Sequence, residues 1–439
     1  MNIENHKEIK ASSLTNYIDK KIILDIYKQE LHKLMLVKLI SVNTNKRYIV
    51  VISNNENLTI SFNNISAVYE ENVVKPFVPQ NLPVKVNWEK FTRLISEVNM
   101  ELGKYNGILE SIPNTEVIFS PLTTQEAVLS SRIEGTQATL EDVLEFEAKN
   151  NKKAENADDI EEIRNYRQTL DEACSRIKND FPLSLRLLKD MHSTLMQGVR
   201  GENRNPGNFR TIQNWIGKPK SSLVTADFIP PSPETIIEHL GNLEKYMHYD
   251  EKDRLVQLAI IHAQFEIIHP FLDGNGRMGR LLIPLFLFEK KILTKPLFYI
   301  SAYFESDRDS YYAMLRSVSN TGIWDEWIEY FLIAVREQAI KNISLAKKII
   351  DLHNSLKQKI RDITNSKYTL EILDFLFEKP VFSTKNFRDA LGAKPPVIKR
   401  NLDKLLKNNI IEMTERGAGS RPSLYRFSAL FSISEFTSQ

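Results

Sequence analysis

The segment His269-Pro270-Phe271-Leu272-Asp273-Gly274-Asn275-Gly276-Arg277-Met278-Gly279-Arg280 packs a base, a carboxylate, an amide, three glycines and two arginines into one short stretch. An imidazole titrates near neutrality, so His269 suits general-base work. Asp273 is a hard oxygen ligand for Mg²⁺, which takes one or two carboxylates together with phosphate oxygens. Gly274 and Gly276 let the backbone come close to a phosphate. Arg277 and Arg280 stand three apart, so on a helix both can face one polyphosphate. The chemistry this set favours is phosphoryl or nucleotidyl transfer, with metal and arginines neutralising charge.

Two helices must position these residues. Leu255, Leu258, Ile261 and Phe265 recur at helical spacing before the stretch, and Leu281, Leu282, Leu285 and Phe286 follow it. The loop between them ends at a helix N-terminus, where backbone N–H groups attract anions. Gly274, Gly276 and Gly279 satisfy GxGxxG, but no strand leads into them, which argues against a dinucleotide fold. No GxxxxGK[ST] occurs, and His262, Glu266 and His269 do not form HExxH. His262 reads as a core histidine. His192, His239 and His248 show no constellation.

The dodecamer resembles the Fic (filamentation induced by cAMP) signature HPFxDGNGRxxR at every position. That resemblance implies a mainly α fold, an all-helical Fic core with a β-hairpin flap. It also implies ATP as co-substrate with Mg²⁺ or Mn²⁺, and transfer of AMP to a protein Ser, Thr or Tyr hydroxyl. On this likeness His269 is the base and Asp273 the metal ligand. Gly274, Asn275, Gly276, Arg277, Met278, Gly279 and Arg280 bind ATP, with the two arginines at its β/γ end.

Further stretches extend the likeness. Ser130-Ser131-Arg132-Ile133-Glu134-Gly135 resembles the inhibitory [S/T]xxxE[G/N] motif of autoinhibited Fic proteins. It implies that Glu134 pairs with Arg280 and competes with the γ-phosphate, with Ser130 and Gly135 the motif's other inhibitory positions; an ordinary helix end with Glu134 exposed and Gly135 at the C-cap is the alternative. Glu134 could instead orient a water, and removal of AMP would then be the main activity. Gly207–Gly217 and Phe228–Pro233 resemble the flap that aligns a target segment by strand addition. Ile216 and Gly217 are expected at the nucleotide. Tyr312 and Asn320 are expected over adenine, with core packing the alternative for the aromatics around them.

Three regions are expected. Residues 1–85 read as a small α+β module. Within it, Leu34–Val42 and Tyr48–Ser53 form a hairpin about Asn43–Lys46, Leu58–Phe62 and Ala67–Tyr69 are further strands, and a Pro-rich linker runs from Val74 to Pro83. Residues 86–364 are the Fic domain, with the inhibitory helix at about 122–135, the catalytic loop at 269–280 and a closing helix Ile340–Ile363. Residues 365–439 follow the order of a winged helix-turn-helix: helix Tyr368–Phe377, helices Ser383–Leu391 and Pro395–Asn408, then a hairpin.

The last region is basic. Lys394, Lys399, Arg400, Lys404, Lys407, Arg416, Arg421 and Arg426 outnumber Asp403, Glu412 and Glu415. Lys399, Arg400 and Lys404 on the second helix, with Arg416 and Arg421 on the wing, suit duplex phosphates. Dimerisation or target docking is the rival use. A DNA-binding regulator with an ATP-sensing core therefore stands beside the enzyme.

Composition bounds the rest. The 439 residues carry 58 Lys+Arg against 56 Asp+Glu, so the whole chain is not a polybasic coat. The single cysteine, Cys174, excludes a disulfide framework and a structural zinc site. No apolar h-region follows the first residues and no long apolar run occurs, so a soluble cytoplasmic protein without a membrane span is expected. Lys-, Asn- and Ile-rich usage hints at a bacterial source. The expected partners are ATP, a target protein that can be the chain itself, a second copy of the chain, and DNA.

Overall fold

The computed structural model describes residues 21–28, 31–43, 48–53, 56–61, 65–70, 76–112, 114–149, 156–199, 204–217, 221, 223, 225–417 and 422–434. The turn at Thr44–Lys46, the linker residues Val74 and Lys75, and Arg421 lie outside them. Two units partition the chain: Met1–Val78 with Thr211–Thr235, and Pro79–Arg210 with Ile236–Gln439.

The first unit holds β1 (Lys21–Lys28), β2 (Leu31–Asn43), β3 (Tyr48–Ser53), β4 (Glu56–Ser61) and β5 (Ile65–Glu70). They form one antiparallel sheet in the order β4-β3-β2-β1-β5. Leu39 pairs with Val51 across β2 and β3, and both are fully buried with Ile49. Among the described residues of the expected α+β module there are five strands and no helix, and residues 76–85 are irregular; β1 is a strand that the sequence pattern does not mark.

Thr211–Thr235 belongs to the same unit. In place of a regular hairpin, its described residues make one antiparallel bridge, Ile216 to Phe228. Ile216 N–H donates to Phe228 O at 2.9 Å and Phe228 N–H to Ile216 O at 3.0 Å. Pro230, Pro231 and Pro233 have no N–H to extend a ladder. Gln213 Nε2 donates to Pro230 O at 2.9 Å, and Phe77 N–H to Ile229 O at 2.9 Å.

The second unit is helical. Its elements are α1 (Trp88–Ser111), α2 (Thr115–Ile118), α3 (Ser120–Ile133), α4 (Leu140–Lys149), α5 (Ala157–Lys178), α6 (Leu185–Leu195), α7 (Ile236–Met247), α8 (Arg254–Ile268), α9 (Asn275–Glu289), α10 (Ser301–Ser306), α11 (Arg308–Thr321), α12 (Asp325–Thr364) and α13 (Thr369–Glu378), followed by β6 (Val381–Ser383), α14 (Thr384–Leu391), α15 (Pro395–Lys407), β7 (Glu412–Glu415), β8 (Leu424–Arg426) and α16 (Ser428–Ser434). α8 and α9 are apolar on nearly every side, the mark of core helices. α7, α9 and α12 pack around α8, and α1 runs along α12. α12 begins at Asp325 rather than near Ile340, because Trp327, Ile328 and Phe331 bury fully against the core.

The C-terminal elements carry a three-stranded antiparallel sheet in the order β6-β8-β7. Ser383 and Asn386 form a capping box at α14, and Gly392 (φ +58°) closes it before α15. Leu140, Leu144 and Ala148 of α4 share one buried cluster with Val381, Leu424 and Phe431. Among the described residues, no helix is long and apolar enough to cross a membrane.

Candidate active site

His269 is the C-cap of α8, in the left-handed region at φ 49°. Its Nδ1 faces the Glu266 carbonyl at 3.2 Å, which places the proton on Nδ1 and makes Nε2 the acceptor atom. Burial pushes its pKa down to about 4, so the ring is neutral at pH 7.

The loop then turns on Asn275. Its side-chain Oδ1 accepts from Phe271 N–H at 2.8 Å and its Nδ2 donates to Phe271 O at 2.9 Å. That amide is committed to the loop's own shape, and only the backbone of Asn275 faces an anion at the start of α9. Gly274 is the N-cap at φ +74°. Asp273 is half-exposed, and its Oδ1 accepts the Gly274 N–H at 2.6 Å. One carboxylate beside helix N–H groups fits Mg²⁺ that takes its remaining ligands from phosphate and water. Among the described residues there is no group of three His, Cys, Asp or Glu side chains that would make an all-protein cage.

The two arginines diverge. Arg277 is buried, and its Nη1 donates to Glu162 Oε2 of α5 at 3.1 Å. Arg280 is also buried. Its Nε donates to Ser130 Oγ at 2.8 Å, and its Nη2 donates to Ser130 O at 2.8 Å and to Glu134 Oε1 at 2.6 Å. Burial opposes ionisation of Glu134, but Arg280 outweighs it and holds the carboxyl below its usual range. Glu134 is the C-cap of α3, and Gly135 at φ +103° ends the helix there. A Cβ at Gly276 would collide with the Glu134 carboxylate, so a glycine at 276 leaves the space that Glu134 fills. α3 itself is anchored by Glu126, which accepts from Ser301 Oγ at 2.6 Å and Ser301 N–H at 3.0 Å.

Other expected residues distribute unevenly. Tyr312 on α11 is electrostatically coupled to Glu134 and Arg280. Asn320 is exposed and lies eight residues on, about 12 Å further along the helix. Met278 is fully buried, and its N–H already bonds Gly274 O at 3.0 Å, so it is a core residue of the first turn. Gly279 gives its carbonyl to His262 Nδ1 at 3.0 Å. Ile216 and Gly217 belong to the other unit, where Ile216 makes the bridge to Phe228. Lys399, Arg400 and Arg416 are exposed, whereas Lys404 Nζ donates to Thr364 O at 3.1 Å. Sequence reasoning missed Glu162, His192 and Arg210. Each meets the loop from far along the chain, and no local motif marks it.

A family model described as Fic/DOC family N-terminal matches residues 92–175, and one described as Fic/DOC family matches 182–287. Fic/DOC family domains are therefore present over these two stretches of the chain. The protein adenylyltransferase fic-1 of Caenorhabditis briggsae is 29% identical over 118 residues, 26% of this chain and 21% of the relative. The probable protein adenylyltransferase aq_aa38 of Aquifex aeolicus (strain VF5) is 38% identical over 80 residues, 18% of this chain and 25% of the relative. The chain thus matches only about a fifth to a quarter of the length of these relatives. A solved Fic family protein from Desulfovibrio desulfuricans G20 has the same fold, with TM-score 0.52 and 21% identity over 80% of this chain and 98% of that one. The mainly helical Fic core expected from the dodecamer is therefore present, and it brings His269, Asp273, Arg280 and Glu134 to one loop.

Proposed function

We propose that this chain is a protein adenylyltransferase restrained in cis by Glu134. The contact of Glu134 with Arg280 at the catalytic loop carries the reading. ATP lays its phosphates across the N–H groups that open α9. His269 Nε2 takes the proton of a target Ser, Thr or Tyr hydroxyl. The hydroxyl oxygen bonds to the α-phosphorus, the bond to the bridging oxygen breaks, and pyrophosphate leaves. Asp273 would hold Mg²⁺ (or Mn²⁺) together with phosphate oxygens, and the ion would supply neutralisation of phosphate charge. With Glu134 in place, the γ-phosphate loses its arginine and the α-phosphate sits out of line. A misplacement of about 1 Å costs about 10²-fold in rate.

The named relatives and the Fic loop support this activity. The test incubates wild type, Glu134→Gly and Glu134→Gly/His269→Ala with Mg²⁺ and ATP labelled at the α-phosphate, with a lysate as target. Label on protein in Glu134→Gly, about 10²-fold above wild type and lost in the double variant, is the expected result. No label in any form sinks the reading.

A second reading concerns residues 365–439, taken as a winged helix-turn-helix. The exposed Lys399, Arg400 and Lys407 on α15 favour contact with duplex phosphates. A gel shift on random duplex that weakens steeply with salt is expected. Salt-independent or absent binding leaves the face to a protein partner.

A further inference from the structure

Four residues just ahead of Thr211 lie across the catalytic loop. Arg210 is 2% exposed. Its backbone N–H donates to Pro270 O at 2.8 Å, its Nε to His269 O at 2.9 Å and its Nη2 to Ile268 O at 3.3 Å. Three successive carbonyls, from the last residue of α8 to Pro270, are thus met by this one residue. His269 is a non-glycine residue at positive φ, a conformation that persists only when its surroundings over-determine it. Arg210 is that surrounding on the carbonyl side.

The other end of the loop has its own brace. The buried His192 of α6 stacks on Phe271 with ring centroids 3.8 Å apart and planes 4° from parallel. Its Nδ1 accepts the Gly207 N–H at 2.9 Å, so Nε2 carries the proton and donates to Asp273 O at 3.1 Å. Gly207 adopts φ +74°, and a Cβ there would crowd Lys189 O and Ser193 Cβ, both at 3.2 Å. The approach of this segment to α6 therefore needs glycine. Residues 207 and 210 thus reach both ends of the loop, one through His192 and one directly.

We propose that Arg210 and His192 are positioning residues with separate tasks. Arg210 orients His269 for proton transfer, and His192 holds Asp273 and the start of α9 for the phosphates. The inference rests on the adenylyltransferase reading for its rate arm, and on nucleotide binding alone for its other arm.

The experiment uses the full chain carrying Glu134→Gly. Arg210→Met, Arg210→Lys, His192→Phe and His192→Gln are each added. Label transfer gives kcat and KM, and calorimetry gives the Kd for Mg²⁺-ATP. Arg210→Met should lower kcat by about 10–100-fold with Kd unchanged, and Arg210→Lys should recover part of it. His192→Phe should weaken Mg²⁺-ATP binding by about tenfold, and His192→Gln, whose amide can still donate to Asp273 O, should recover part of it. A kcat for Arg210→Met within threefold of its parent overturns the Arg210 assignment. Equal loss of Kd and kcat in all four variants, with a lowered Tm, shows general support of the fold and overturns the separate tasks. If the Glu134→Gly parent itself transfers no label, the activity reading falls, while the calorimetric arm still decides His192.

Discussion

Arg277 and Arg280 stand one turn apart on α9, and each meets a glutamate from another helix, yet the two pairs are built differently. Glu162 sits in the interior of α5, and its side chain is 6% exposed against Arg277. Glu134 sits at the C-cap of α3, and its side chain is 35% exposed against Arg280. The first pair is sealed on both sides and can only be broken. The second is open on the carboxylate side, so another anion can take that place. Arg280 also bonds Ser130 Oγ and Ser130 O, contacts that do not involve Glu134. On the proposed reading, Arg280 is the fixed partner and Glu134 the replaceable one. Burial of the carboxylate decides which pair is which.

The comparison breaks most sharply in stability. Glu162→Ala leaves a buried guanidinium with only the longer Asp273 contact at 3.8 Å and should cost about 3–5 kcal/mol, read by urea denaturation. Glu134→Ala opens Arg280 to water and should cost about 1 kcal/mol or less. Comparable losses in the two variants would remove the distinction. Ser130→Ala deletes the hydroxyl that fixes Arg280 Nε but spares Glu134 and the Ser130 carbonyl. Label transfer should then rise by about three- to tenfold, well short of Glu134→Gly.

The smallest effects are in pH. Arg280 holds the Glu134 carboxyl below its usual range, so the proposed restraint should be present at neutral pH and be lost only as pH falls through that lowered value. The ratio of wild-type to Glu134→Gly activity should stay flat between about pH 6 and 8. Glu126 behaves oppositely. Burial raises its carboxyl from 4.5 to about 7. The native state then holds a proton that the unfolded state releases, so stability is full at low pH and falls as pH rises through about 7. A Tm lowered by about 2–4 °C over that window, and absent in Glu126→Gln, is expected.

The loop and Glu134 were legible because each lies within a few residues of its own motif. The end of α3 was readable for the same local reason: Pro121 near its start and Gly135 past its end bracket it. Glu162 was not, because its partner is 115 residues away and nothing beside it on α5 differs from an ordinary exposed glutamate. His192 and Arg210 were hidden likewise, since their work is done on carbonyls, which every residue has. The flap shows the reverse failure. The likeness over Gly207–Gly217 and Phe228–Pro233 promised a hairpin flap, and the prolines opposite Thr211–Asn214 remove its ladder donors.

One packing feature reaches beyond catalysis. Six residues after Glu134 the chain enters α4, whose Leu140, Leu144 and Ala148 form one core with Val381, Leu424 and Phe431. Arg426 also pairs with Glu141, and Lys149 with Glu415 at 3.2 Å. Anyone cutting this protein into pieces would therefore cut through a shared interior. A fragment ending at residue 364 would carry α4 with its apolar side bare, close to the very carboxylate whose behaviour the fragment was made to study. Substitutions in the intact chain, not shortened versions of it, are the sound way to dissect the switch.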